Sequence, residues 1–105
     1  MDTNAPILQQ IKNSIRATDP DATLILFGSC ARGDDRPDSD IDILILLDKD
    51  KITNEDRERI GYPLYDIQLE SEIPISPLIL SGKKWEMKHK ITPFYKNVMR
   101  EGIKL

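Results

Sequence analysis

The chain of 105 residues is poor in several things, and each shortage removes a class of protein. It has one cysteine, Cys30, so no intrachain disulfide can form and a reducing compartment fits. Its one histidine, His89, sits in a lysine-rich connection with no Cys, His or acid at metal spacing around it, and reads as a surface residue. No apolar run approaches the roughly 20 residues of a membrane span. The start, MDTNAPILQQ, has neither a basic region nor an apolar core of the kind that directs secretion. The expectation is a cytoplasmic protein with no membrane association. An excess of positive charge is missing too: the formal net charge is −3, which argues against a tight, direct nucleic-acid ligand. A chain this short is expected to form one domain over residues 1–105, burying about two thirds of its unfolded surface.

What is present is concentrated between Leu24 and Leu47, LILFGSCARGDDRPDSDIDILILL. Two apolar runs, Leu24 to Phe27 and Ile41 to Leu47, bracket a small-residue turn, and the second run opens with Asp40 and Asp42. Side chains on a strand alternate faces, so Asp40 and Asp42 point the same way and Ile41 the other. Two ionised carboxylates about 5 Å apart at an effective dielectric near 20 repel by roughly 3 kcal/mol, and a cation between them relieves this. Mg²⁺ commonly joins one or two carboxylates to substrate phosphates. The other end supplies a phosphate cradle. Gly28 lets a phosphate approach the backbone, Ser29 offers a hydroxyl, Cys30 to Arg32 can present N–H groups as a helix start does, and Gly33 ends that turn. Phosphates at one end and metal at the other describe a nucleoside triphosphate site.

Other motifs fail on inspection. Gly28 and Gly33 have P-loop spacing, but Asp34 and Asp35 stand where Lys and Ser or Thr are required. Asp38, Asp40 and Asp42 match three positions of a calcium loop, yet Ile43 replaces its glycine and Lys49 its final glutamate. Arg32-Gly33-Asp34 spells a cell-adhesion tripeptide that a chain without a secretion signal does not use.

Gly28-Ser29, a spacer and Asp40-Ile41-Asp42 resemble the signature of the DNA polymerase β nucleotidyltransferase superfamily. The fuller string GSCARGDDRPDSDIDILI is similar to the minimal nucleotidyltransferases, often encoded beside a HEPN-domain partner in toxin–antitoxin pairs. The resemblance implies an α+β fold, a polymerase β-like core with a small mixed β-sheet packed with helices in the order α-β-α(turn)-β-α-β-α-α. It also implies that Gly28 and Ser29 hold the phosphates of ATP, with Arg32 and Ser39 completing the nucleotide-binding set. Asp40 and Asp42 would be the catalytic pair holding Mg²⁺. The family pattern has a third carboxylate on the next core strand. Here that strand, Ile73 to Leu80, contains no acid. The position falls on Pro74 or Leu78, and Glu72, parity-matched to Ser76 and Leu78, is the candidate substitute.

In chain order, a first helix is expected from Asn4 or Ala5, with Ile7, Leu8, Ile11 and Ile15 as its apolar stripe, ending at the turn signal Asp19-Pro20-Asp21. Thr23 to Phe27 reads as the first strand. Asp34 to Ser39 reads as a charged loop in which Arg36, like Arg32, either reaches a phosphate or stays in surface ion pairs. Ile41 to Leu47, apolar on both faces beyond the aspartates, reads as a central strand. Thr53 or Asn54 marks a helix start, and Pro63 is expected to divide that helix into segments 54–61 and 63–71, with Tyr62 and Tyr65 packed on the sheet. Pro74 and Pro77 mark the next strand as an edge. Ser81 caps a short helix holding Trp85, and Thr92-Pro93 opens a last one that Gly102 stops. Lys83, Lys84, Lys88 and Lys90 read as a solvated face or as a means of steering ATP or an acidic partner.

No acceptor-binding segment accompanies the core, so the acceptor is expected on another chain, most simply a HEPN-like partner whose hydroxyl receives AMP. The competing expectation is a catalytically weak or inactive nucleotide-binding antitoxin that acts by binding its partner.

Overall fold

The computed structural model describes residues 5–33, 40–88 and 91–105. Ser39, Arg36 and His89 lie outside them. The elements run α1 (Ala5–Thr18), β1 (Thr23–Phe27), α2 (Ser29–Arg32), β2 (Ile41–Leu47), α3 (Asn54–Ser71), β3 (Ile75–Ser81), α4 (Gly82–Lys88), α5 (Pro93–Glu101) and β4 (Ile103–Lys104). The α+β expectation and its element order hold, with β4 added at the end. The four strands lie in the order β3-β2-β1-β4; β1 is antiparallel to both β2 and β4, and β2 is parallel to β3.

Strand β2 is the spine, as its double-sided apolar pattern requires. Ile41, Ile43, Ile45 and Leu47 face one side, where they bury against Ile11 and Ile15 of α1 and Ile60 and Leu64 of α3. Leu44 and Leu46 face the other, where Trp85 of α4 and Val98 of α5 cover them. Each such fully buried side chain contributes about 1.5–3 kcal/mol. The result is three layers, two helices on each face of a mixed sheet. The alternation also decides where Asp42 goes: it shares the face of Leu44 and Leu46, beneath α4 and α5.

Two expectations about α3 are corrected. Pro63 lies inside one continuous helix instead of dividing it. A proline there forfeits one backbone bond, but Ile60 and Leu64 on either side are locked in the core. Tyr62 and Tyr65 are 65% and 56% exposed, because the face that buries Ile60 and Leu64 turns both outward.

The helix begins with a capping box in which Thr53 and Asp56 bond each other's backbone. It ends at Glu72, whose φ of 59° places a side chain in the left-handed region. Beyond it, β3 forms the sheet's edge. Pro74 O accepts from Ile41 N at 2.8 Å, so by alternation Ser76 and Leu78 bond inward and Ile75 and Pro77 point outward. The outward Ile75 N–H donates to Gln68 Oε1 at 2.8 Å, and Pro77 has no N–H to offer.

Candidate nucleotide site

The turn between β1 and β2 is built from glycine upward. Gly28 has φ 75° and ψ −156°, and its carbonyl accepts from the N–H groups of Ala31 and Arg32, both at 3.1 Å. Gly33 closes the short α2 at φ 79° with its N–H on Ser29 O, the stop anticipated from its position. A Cβ at Gly28 would collide with Asp42 Oδ2, with Cγ at 3.3 Å, so the backbone here passes directly against a carboxylate. Only glycine meets both demands, the positive φ and the contact. Register explains the meeting: Phe27 is paired with Asp42 across β1 and β2, and Gly28 is the next residue. Cys30 ties the turn to the second strand, its Sγ donating to Asp40 O at 3.4 Å.

Asp40, Asp42, Gly28 and Arg32 thus meet at one end of the sheet. Asp42 is half-buried and its carboxyl is pushed above its ordinary value of 3.8, first by burial, then by the charge of Asp40. Arg32 acts the other way and lowers it, while also lying 3.7 Å from Glu101 of α5. Two carboxylates beside one guanidinium, itself shared with Glu101, leave a net negative charge at the turn. That is what a cation site needs, and two carboxylates suffice for Mg²⁺ when substrate phosphates complete its shell.

The same register sets which β3 residues neighbour Asp42, and none of them is an acid. Ser76 of β3 stands beside Asp42, and Leu78 follows on the same face. Glu72 is not on the strand: it is the exposed cap of α3, with its N–H on Gln68 O at 2.9 Å. Among the described residues no group of three or more His, Cys, Asp or Glu side chains gathers as a metal-binding set.

Sequence reasoning missed the cleft beside this site. A space of about 190 Å³ opens between the turn and α5, lined by Phe27, Gly28, Arg32, Phe94, Asn97 and Glu101, among others. Phe94 is one of the apolar residues of α5. Nothing local marks it otherwise, because the cleft is made by elements about 65 residues apart. A larger cleft of about 770 Å³ lies at the far end of the same face, near Thr23, Leu47 and Trp85. At 3.3 Å per residue that end is about 17 Å from Asp42.

A mixed sheet whose central strand delivers an acid beside a glycine-serine turn defines a nucleotidyl-transfer core of the polymerase β type. The model of the nucleotidyltransferase domain family matches residues 8–104, and the chain belongs to that family. It is therefore a nucleotidyltransferase domain whose substrate class is nucleoside triphosphates. No curated protein matches the chain. Among the described residues no helix is long and apolar enough to cross a membrane.

Proposed function

We propose that the chain is a Mg²⁺-dependent nucleotidyltransferase that moves AMP from ATP to a hydroxyl on a partner protein, as the antitoxin of a HEPN-type pair. The observation that carries this reading is the contact between the Gly28 backbone and the Asp42 carboxylate, which puts phosphate cradle and metal ligand within one turn of each other. Gly28 and Ser29 hold the phosphates of ATP, and Asp40 and Asp42 would hold Mg²⁺ for attack at the α-phosphate. Magnesium, when bound, neutralises charge on the triphosphate and on the departing pyrophosphate. The acceptor oxygen attacks phosphorus in line as its proton passes to solvent, the bond to the bridging oxygen breaks, and pyrophosphate leaves. The flank opposite Gly28 supports a macromolecular acceptor: Ser76 and Leu78, on Asp42's face, are both exposed, so this side of Asp42 stays open.

Incubation with Mg²⁺, ATP labelled at the α-phosphate and the protein encoded beside it should label that protein. ATP binding without label removes the transfer reading. A second reading, a nucleotide-binding antitoxin that blocks its partner without chemistry, is favoured by the lack of an acid at Pro74, Ser76 and Leu78, the β3-side positions nearest Asp40 and Asp42. Changing Asp40 and Asp42 together to Asn abolishes protection by an enzyme and leaves protection by a blocker intact.

A further inference from the structure

The cleft beside Gly28 carries groups that phosphate chemistry does not use. Phe27 and Phe94 meet edge to face, centroids 5.4 Å apart and planes at 81°, and Phe94 meets Trp85 in the same manner at 5.8 Å and 83°. Phe94 is thereby fixed by two rings, yet 38% of its surface stays in solvent. A ring held in this way is a preordered stacking surface. Asn97, three residues on along α5, is exposed, and its Oδ1 accepts from Arg100 Nη2 at 3.0 Å. An amide oxygen has a second lone pair and its NH₂ two donors, so Asn97 keeps capacity for a further partner. The Arg32–Glu101 ion pair, at 3.7 Å, joins α2 to α5 at the cleft's rim.

Position says which part of a ligand belongs here. Gly28 is both the hinge of the phosphate turn and a wall of this cleft. The cleft lies on the β1 side of Asp42, whereas the open flank at Ser76 and Leu78 lies on the β3 side. A nucleotide whose phosphates lie against Gly28 has the aromatic cleft within reach on the same side of Asp42, and the acceptor has the other side.

We propose that this cleft takes the nucleobase of the triphosphate, with Phe94 as the stacking surface and Asn97 reading the base edge; the inference rests on the nucleotide reading above. An amide presents one donor and one acceptor together, the pattern that adenine answers with N7 and its N6 amino group, whereas guanine presents two acceptors there. The cleft favours ATP over GTP.

Calorimetry on the full chain with Mg²⁺ and ATP, GTP or tripolyphosphate tests this. Phe94→Ala weakens ATP about tenfold or more and leaves tripolyphosphate unchanged. Phe94→Leu, which keeps apolar packing without a stacking face, moves ATP in the same direction with the fold intact. Asn97→Leu brings the ATP-to-GTP ratio towards one with an unchanged unfolding midpoint. Wild-type-like ATP binding by all three variants overturns the cleft assignment and leaves the nucleotide reading standing. Equal losses of ATP and tripolyphosphate also overturn it, since the residues would then only support the turn. A wild-type chain that takes up no Mg·ATP overturns both.

Discussion

Asp42 and Asp56 are both shielded aspartates at the margins of β2, and their surroundings are opposite. Asp56 Oδ1 accepts from Lys49 Nζ and Arg59 Nη2, each at 3.0 Å, and Oδ2 accepts from Thr53 N at 2.9 Å and Thr53 Oγ1 at 3.0 Å. Led by the Lys49 bond, these partners outweigh burial and hold its carboxyl well below the usual carboxylate range. Arg59 extends the network to α1, donating to Thr18 O at 3.1 Å and lying 3.8 Å from Asp19. Asp42 has an acid neighbour, a glycine pressed against it and a pKa raised by burial. One carboxylate is saturated by its own chain and works as a structural joint. The other has an acid neighbour that Arg32 only partly offsets, which fits the metal-holding role proposed for it.

Substitutions separate the two roles. Asp42→Asn lowers nucleotidyl transfer on the order of a thousandfold, the several kcal/mol that a metal-held phosphate supplies, while the urea midpoint stays equal or rises. A fall in both would put Asp42 in the same structural class as Asp56. Asp56→Ala does the converse: it costs about 3 kcal/mol in urea unfolding by stranding Lys49 and Arg59 and removing a cap, and leaves Mg·ATP affinity intact in the folded fraction.

Acid sharpens the contrast. The folded Asp56 carboxyl lies below its ordinary value of 3.8, so its contribution is complete well above that value and is lost progressively as pH falls below it towards the folded value. Asp42, raised in the folded state, contributes with the opposite sign, its cost relieved as pH falls. Urea midpoints measured from about pH 6 to about pH 3 should therefore drop in the wild type and be flatter in Asp56→Asn. The smallest effect belongs to Glu72. Replacing it with Gly relieves the left-handed backbone and stabilises by about 1 kcal/mol with transfer unchanged; lost transfer would restore Glu72 as the third acid.

Where sequence and structure agree, the signal was local. Thr23–Phe27 and Ile41–Leu47 are bounded by turn residues and charge, and the meeting of Gly28 with Asp42 follows from two strands joined at that turn. The capping box at Thr53 was likewise written within four residues. What escaped depends on distant partners. Pro63 reads as a break until the core around Ile60 and Leu64 is seen to hold the helix through it. Strand β4 is two residues long and exists only because Ile103 and Lys104 pair with Leu26 and Ile25. The aromatic cleft has the same origin, since β1 and α5 supply it jointly.

The outer edge of β3 narrows how any partner can engage. With the Ile75 donor already taken by Gln68 and Pro77 offering none, the row of hydrogen bonds that would recruit a further strand is interrupted. Association by β-augmentation is disfavoured at Ile75 and Pro77. Under the transfer to a partner protein proposed above, that protein presents a side chain over the sheet's face, its hydroxyl leading instead of its backbone.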